Sequence, residues 1–141
     1  MAVKRWFGGY IVMSFILVPK RGEDVQVNAW NWRPTLELLH SESVISEEHY
    51  ELMGVQGAGG EVDADLADRI AEAIKRRLML MKPGERMLGD LTVTAKPKTK
   101  WVFTPETRSE EIDATDIYSA TYEWLEQFAD FCRRSGGFEV H

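Results

Sequence analysis

The pattern of apolar positions along the chain opens with a β-hairpin. Tyr10 to Val18 reads YIVMSFILV, a run of β-branched and aromatic residues that ends at a proline. Such residues favour strands. Val25 and Val27 then alternate with polar neighbours, and Lys-Arg-Gly-Glu supplies a turn between the two runs. The sequence therefore predicts a hairpin over about residues 10–29.

A second alternating stretch predicts another hairpin, over about residues 90–104. Leu91 to Ala95 alternates apolar with polar residues, and after Pro97 the aromatic residues Trp101 and Phe103 alternate with Lys100, Val102 and Thr104. This pattern gives both strands one apolar face. The tip between them is basic, which is typical of a guard against edge-to-edge pairing and leaves anion binding as the alternative. Its lysines are Lys96, Lys98 and Lys100.

Two longer stretches have apolar residues at helical spacing. The first is predicted over about 63–81, with Asp63 as its cap, an acidic start and a basic end that suit the helix dipole. Its buried face comprises Leu66, Ile70, Ile74, Leu78 and Met81. The second is predicted over about 116–134 and is ended by Gly136-Gly137. Its buried face comprises Ile117, Thr121, Leu125, Phe128 and Cys132.

Two short helices are predicted between the first hairpin and the helix at 63–81. Asn31 can cap one over about 32–40, with a proline tolerated in its first turn. Ser46 can cap another over about 46–53, whose first turn is acidic. Phe138 to Val140 can add a final strand.

This order of elements predicts an α+β fold with an antiparallel sheet, because the strands come in hairpins and the helices lie between them. A chain of 141 residues suits a single domain. The native start is open between Met1 and Met13, and the second choice would make residues 1–12 a non-essential extension.

Charge and cysteine content narrow the classes of function. The formal net charge is −6, with −5 over residues 34–60 and −6 over 105–141. An acidic protein is a poor general binder of nucleic acid, but it suits a basic protein partner. The chain has one cysteine, so no intrachain disulfide can form. We expect a cytoplasmic protein with neither nucleic acid nor membrane as partner.

Trp30, Trp32 and Arg33 form the densest group of residues that carry binding energy at interfaces. Two tryptophans two residues apart on an extended segment would point to the same side. Facing inward, they would pack against Leu66 or Phe128. Facing outward beside Arg33, they would form a binding patch that also permits self-association.

Metal chemistry has one weak candidate group. Glu37 and His40 have an i, i+3 spacing that occurs in di-metal sites of helix bundles, and His49 follows on the next short helix. The sequence has one copy of that spacing where such sites use two, so a solvated acidic face is the preferred interpretation and no metal or cofactor is predicted. The neighbouring acids are Glu47, Glu48 and Glu51.

The other motifs disfavour the common classes of enzyme. GVQGAGG at residues 54–60 matches neither a dinucleotide nor a Walker loop, and acids follow it. It predicts a flexible connection or a mobile lid. Cys132 lies on a predicted apolar face and is expected to be a core residue. The chain has no G-x-S-x-G elbow.

The leading hypothesis is therefore a non-catalytic binding protein for a basic protein, resembling immunity or regulatory proteins in composition only. Its acids over 37–51 and 106–130 would meet that partner. The alternative is a ligand- or metal-binding domain, or an enzyme, with a pocket near the 54–60 loop and Glu37, His40 and His49.

Overall fold

We obtained a computed structural model of the chain, and it describes residues 4–7, 10–95 and 118–141. The fold is α+β with antiparallel sheets, as predicted. Its described helices are α1 (Ala29–Ser41), α2 (Glu47–Met53), α3 (Ala64–Leu78) and α4 (Tyr122–Ser135). Its described strands are β1 (Lys4–Phe7), β2 (Tyr10–Pro19), β3 (Val25–Asn28), β4 (Gly60–Val62), β5 (Arg86–Leu88), β6 (Val93–Thr94), β7 (Ser119–Thr121) and β8 (Phe138–Val140).

The larger sheet is organised around β2, the longest described strand. The hairpin predicted over 10–29 is confirmed, because β2 pairs with β3 and places Phe15 opposite Val27. Beyond that hairpin, β2 pairs with β8, which pairs in turn with β4, and β1 pairs with the first half of β2. The sheet thus contains five strands among the described residues.

A smaller sheet joins three short strands in the order β6-β5-β7. Its β5–β6 hairpin spans Arg86 to Thr94, earlier in the chain than the predicted hairpin over 90–104. Residues 96–117, which include the predicted tip lysines and the second predicted strand, lie outside the described residues. The strand β5 was missed because three residues are too few to show an alternating pattern.

The core lies between the larger sheet and the helices. Among the described elements, α3 and α4 form the most extensive contact of any pair. The alternating positions of β2 and β3 supply Phe15, Leu17 and Val27 to this core, and each of them is buried. Burial of large side chains from every layer is the main source of stability in such a fold.

The two long helices begin and end where local chemistry allows. The Asp63 side chain accepts a hydrogen bond from the Leu66 amide at 2.8 Å, so the predicted cap of α3 is confirmed. α4 begins at Tyr122 instead of residue 116, because Ser119–Thr121 form β7 and Thr121 is the cap. Gly136 ends α4 in the left-handed conformation, with φ of 70°.

The first short helix is longer than its predicted bounds of 32–40. α1 begins at Ala29, and its cap is Asn28, whose Oδ1 accepts from the Asn31 amide at 2.9 Å. The prediction of Asn31 as cap was therefore wrong. The side chain of Asn31 instead accepts a hydrogen bond from the Thr121 amide at 3.0 Å, which ties α1 to β7. The second short helix, α2, starts after Ser46 as predicted.

None of the helices in the described part of the chain is long and apolar enough to cross a membrane.

Candidate functional site

The two tryptophans of the 30–33 segment lie in a helix, not in an extended strand. In a helix, each residue is rotated by about 100° about the helix axis relative to the residue before it. Side chains two residues apart therefore point in nearly opposite directions. Trp30 is accordingly 47% exposed, whereas Trp32 is 0% exposed. The prediction that both would share one side was wrong, and the segment is divided between surface and core.

Trp32 is a core anchor. Its indole Nε1 donates a hydrogen bond to the main-chain oxygen of Met53 at 2.9 Å, which joins α1 to the end of α2. Its ring packs edge-on against Phe128 at 5.4 Å between centroids and lies 6.2 Å from Phe15. A buried indole whose one hydrogen-bond donor is satisfied has a structural role, so Trp32 is not available to contact a partner.

The outer side of α1 carries Trp30, Arg33 and Glu37, at spacings of three and four residues that place them on one helical stripe. Opposite this stripe, Trp32 and Leu36 face the core. α2 lies beside the stripe. We call the joint face the α1–α2 surface, and it comprises Trp30, Arg33, Glu37, Glu47, Glu48, Tyr50, Glu51, Leu52 and Val55.

A cleft of about 180 Å³ lies in this surface between the two helices. Arg33 is exposed at its rim and forms no ion pair with any residue that the structure describes. A Cβ added at Gly54 would stand 3.1 Å from the main-chain oxygen of Tyr50 and at an ordinary contact distance of 3.5 Å from an Arg33 guanidinium nitrogen. The cleft is lined by Arg33, Leu36, Glu37, Tyr50, Glu51, Gly54 and Val55.

Tyr50 fixes the polar wall of the cleft. Its hydroxyl donates a hydrogen bond to the Glu37 carboxylate, which links α2 to α1. That bond is the main reason why the pKa of Tyr50 rises to about 12, and partial burial adds to it. Tyr50 therefore stays neutral throughout the physiological range and holds the Glu37 carboxylate at the cleft.

His40 provides a second link between the helices. Its Nε2 lies 2.6 Å from the Glu47 carboxylate, and its ring stacks on Tyr50 with 4.1 Å between centroids. The predicted binding residue Glu47 thus has a partner within the protein. The other two acids of that prediction, Glu48 and Glu51, are exposed and have no ion pair with a described residue.

The weak metal candidates do not converge. His49 is engaged elsewhere, since its Nδ1 lies 2.8 Å from the Ser46 hydroxyl and its Nε2 lies 3.1 Å from the main-chain oxygen of Glu61. Glu37 and His40 are linked through Tyr50, which contacts both. Within the described ranges, no group of three or more His, Cys, Asp or Glu side chains is arranged to hold a metal ion.

Two other predicted motifs, Cys132 and the glycine-rich stretch over 54–60, have structural roles. Burial raises the pKa of the Cys132 thiol well above its usual value, which disfavours the thiolate that a nucleophile needs. The glycine-rich stretch over 54–60 is mostly a turn, and its last residue begins β4. Gly54 and Val55 of this stretch line the cleft.

Sequence reasoning missed Tyr50 and Val55 as cleft residues. Tyr50 lies four residues after Ser46 and one turn from Glu47, so its place on the inner side of α2 could be deduced once that helix was predicted. Its pairing with Glu37 depends on how α1 and α2 pack, and no pattern within either helix encodes that angle. Val55 lies outside the regular elements and gives no periodic signal.

Comparison of the chain with protein-family models, curated proteins and solved structures finds no significant match.

Proposed function

We propose that this protein acts by binding another protein through the α1–α2 surface, and that the partner presents a basic face. The observation that carries the proposal is the exposed Trp30 on one stripe of α1 with Arg33, which is unpaired among the described residues. Tryptophan and arginine are the residues that most often dominate binding energy at protein interfaces. A tryptophan that served only the core would be covered, as Trp32 is.

The charge of the surface determines the kind of partner. Four carboxylates lie on it, those of Glu37, Glu47, Glu48 and Glu51, against the single guanidinium of Arg33. Glu48 and Glu51 are exposed and unpaired among described residues, so their charge reaches solvent. A basic partner would be attracted to this face and would associate faster at low salt.

The size of the cleft favours a protein side chain over a small-molecule ligand. Pockets for drug-sized ligands usually have volumes of about 300–1,000 Å³. The cleft here has about 180 Å³ and opens to the surface. It has the size for one long side chain, with the apolar wall of Leu36 and Val55 for its stem and the carboxylates of Glu37 and Glu51 for a cationic end.

The test uses the full chain as bait in affinity capture at low and moderate salt, with three variants beside the wild type. Trp30→Ala removes the exposed indole. A triple change of Glu47, Glu48 and Glu51 to Lys reverses the acidic face. The matched control changes the same number of exposed acids elsewhere, at Glu23, Asp68 and Glu72, and so gives the same net charge.

Support requires a basic protein that the wild type and the control retain, and that both surface variants lose. Binding should fall about tenfold or more for Trp30→Ala, as for a typical interface hot spot. Equal loss with the control would show attraction to net charge alone, and equal retention by all variants would place any interface elsewhere. Both results would refute the proposal.

Self-association through the same surface is a separate outcome of this test. Because Trp30 is exposed, a dimer that buries it would be visible by size-exclusion chromatography of the wild type and would dissociate in Trp30→Ala. Such a dimer without any captured partner would replace the hypothesis of a basic partner.

A further inference from the structure

A second exposed patch lies at the end of α3, far along the chain from the α1–α2 surface. Met79 is 85% exposed and Leu80 is 74% exposed, although both are large apolar side chains. The next residue, Met81, is buried and holds the turn against the core. Two adjacent apolar side chains so fully in water are unusual and indicate a contact surface.

The residues around these two side chains are cationic. Lys75 and Arg76 lie one turn before Met79 on α3, and Lys82 follows the apolar pair and Met81. All three cationic residues are exposed. We call this group the α3 tip, and it comprises Lys75, Arg76, Met79, Leu80 and Lys82.

Nearby acids neutralise the α3 tip only in part. Arg76 lies 3.5 Å from the Glu42 carboxylate, and its side chain remains largely exposed. Glu85 accepts a hydrogen bond from the main-chain amide of Lys82 at 2.5 Å, which does not engage the ammonium group. Neither Lys75 nor Lys82 forms an ion pair with a residue in the described ranges.

We propose that the α3 tip is a contact site for an anionic membrane surface, with Met79 and Leu80 entering the interface and the cations lying at the lipid headgroups. Apolar side chains flanked by lysine and arginine are the combination that binds such interfaces. Basic side chains near the surface of an anionic bilayer each strengthen binding about fivefold. The site is independent of the α1–α2 surface and of its proposed partner.

The charge of the α3 tip favours an anionic bilayer as the occupant, because the exposed side chains of Lys75, Arg76 and Lys82 flank the two exposed apolar side chains. A bilayer requires no complementary pocket, because lipid headgroups close around an inserted side chain.

The acidic net charge of −6 opposes the approach of the protein to an anionic membrane, but the strength of binding depends on the charge near the contact. Charges are screened over about 8 Å at physiological salt, so binding depends mainly on the charges close to the contact. The sequence expectation of no membrane partner rested on the lack of an apolar stretch long enough to span a bilayer. A spanning segment is not needed for a local surface contact of this kind.

Cosedimentation of the full chain with lipid vesicles tests the proposal. We expect binding to phosphatidylcholine vesicles that contain about 30% phosphatidylserine, and little binding to pure phosphatidylcholine. Changing Lys75 and Lys82 to Gln should weaken binding about thirtyfold. Changing Met79 and Leu80 to Ser should weaken it about tenfold or more, since each loses the transfer of an apolar side chain from water.

A matched control removes an exposed apolar side chain elsewhere. Val55 is 58% exposed, and Val55→Ser should leave vesicle binding unchanged. All these positions are at the surface, so the variants should unfold within about 2 °C of the wild type. Three results would overturn the proposal: no binding to the anionic vesicles, equal binding to neutral vesicles, or binding that survives the serine changes at Met79 and Leu80.

Discussion

The division of the tryptophans makes a sharp prediction about stability. Trp32→Ala should destabilise the fold severely, whereas Trp30→Ala should not, although the two residues are neighbours in sequence and identical in type. Trp32 is fully buried and touches aromatic rings from a strand and a helix. Trp30 is about half exposed on the outer side of α1.

The magnitude follows from what each change removes. A buried tryptophan cut to alanine typically costs about 3–5 kcal/mol of unfolding free energy. Trp32 should lie at the upper end of that range, because the change also leaves the main-chain oxygen of Met53 without its 2.9 Å donor. For Trp30→Ala we expect about 1 kcal/mol or less, since half of its surface is already in water.

Urea unfolding followed by circular dichroism measures both values. Trp32→Ala can approach the total stability of a small domain, which is about 5–15 kcal/mol. Trp32→Phe is therefore included. It keeps most of the ring volume, and it should cost about 2 kcal/mol through the lost hydrogen bond and a smaller cavity. Equal costs for Trp30→Ala and Trp32→Ala would refute the assignment of one side chain to the core and the other to the surface.

Three further changes test other parts of the fold. Tyr50 has a pKa of about 12 when folded against an ordinary value of 10.0, so its bond to Glu37 stabilises the protein below pH 10 and is lost between pH 10 and 12. In Tyr50→Phe the free energy of unfolding at pH 8 should fall by only about 1 kcal/mol, because solvent screens this surface pair. Between pH 10 and 12 the melting temperature of this variant should fall less than that of the wild type. Gly137→Ala should lower the melting temperature by several degrees, since its φ is 108° and the new Cβ would stand 2.8 Å from the Val62 main-chain oxygen. Asn28→Ala should cost about 1 kcal/mol in urea unfolding, because it removes the cap of α1.

Long periodic elements were predictable, and short or ambiguous ones were not. α3 follows from four turns of regular apolar spacing after an aspartate cap, so its face and its start were both predicted, whereas it ends at Leu78 and not at residue 81. α1 offered two competent caps, Asn28 and Asn31, three residues apart, and the tryptophans after the first favour strands as well as helices. The three-residue β4 has too few positions to show a period.

The candidate site was predictable in some of its residues but not in its geometry. Arg33 and Glu51 were both singled out from the sequence, and the structure places both on the cleft. Their convergence requires the packing of α1 against α2, which is fixed by the Trp32 bond to Met53 and by Tyr50 at Glu37. Those are contacts between helices, and no local pattern contains them.

Helix α1 therefore contributes both to the stability of the fold and to the proposed function. Trp32 anchors α1 in the core and joins it to the end of α2, and this fixes the outer stripe that presents Trp30 and Arg33. If the sequence of α1 moved along the helix by one position, every side chain would be rotated by about 100° about the helix axis. The indole of Trp32 would then leave its place in the core. The cap at Asn28 sets that register, because its side chain holds the first turn and the Asn31 side chain holds the next to β7. The proposed binding residues of the α1–α2 surface thus depend on two asparagines that lie outside that surface.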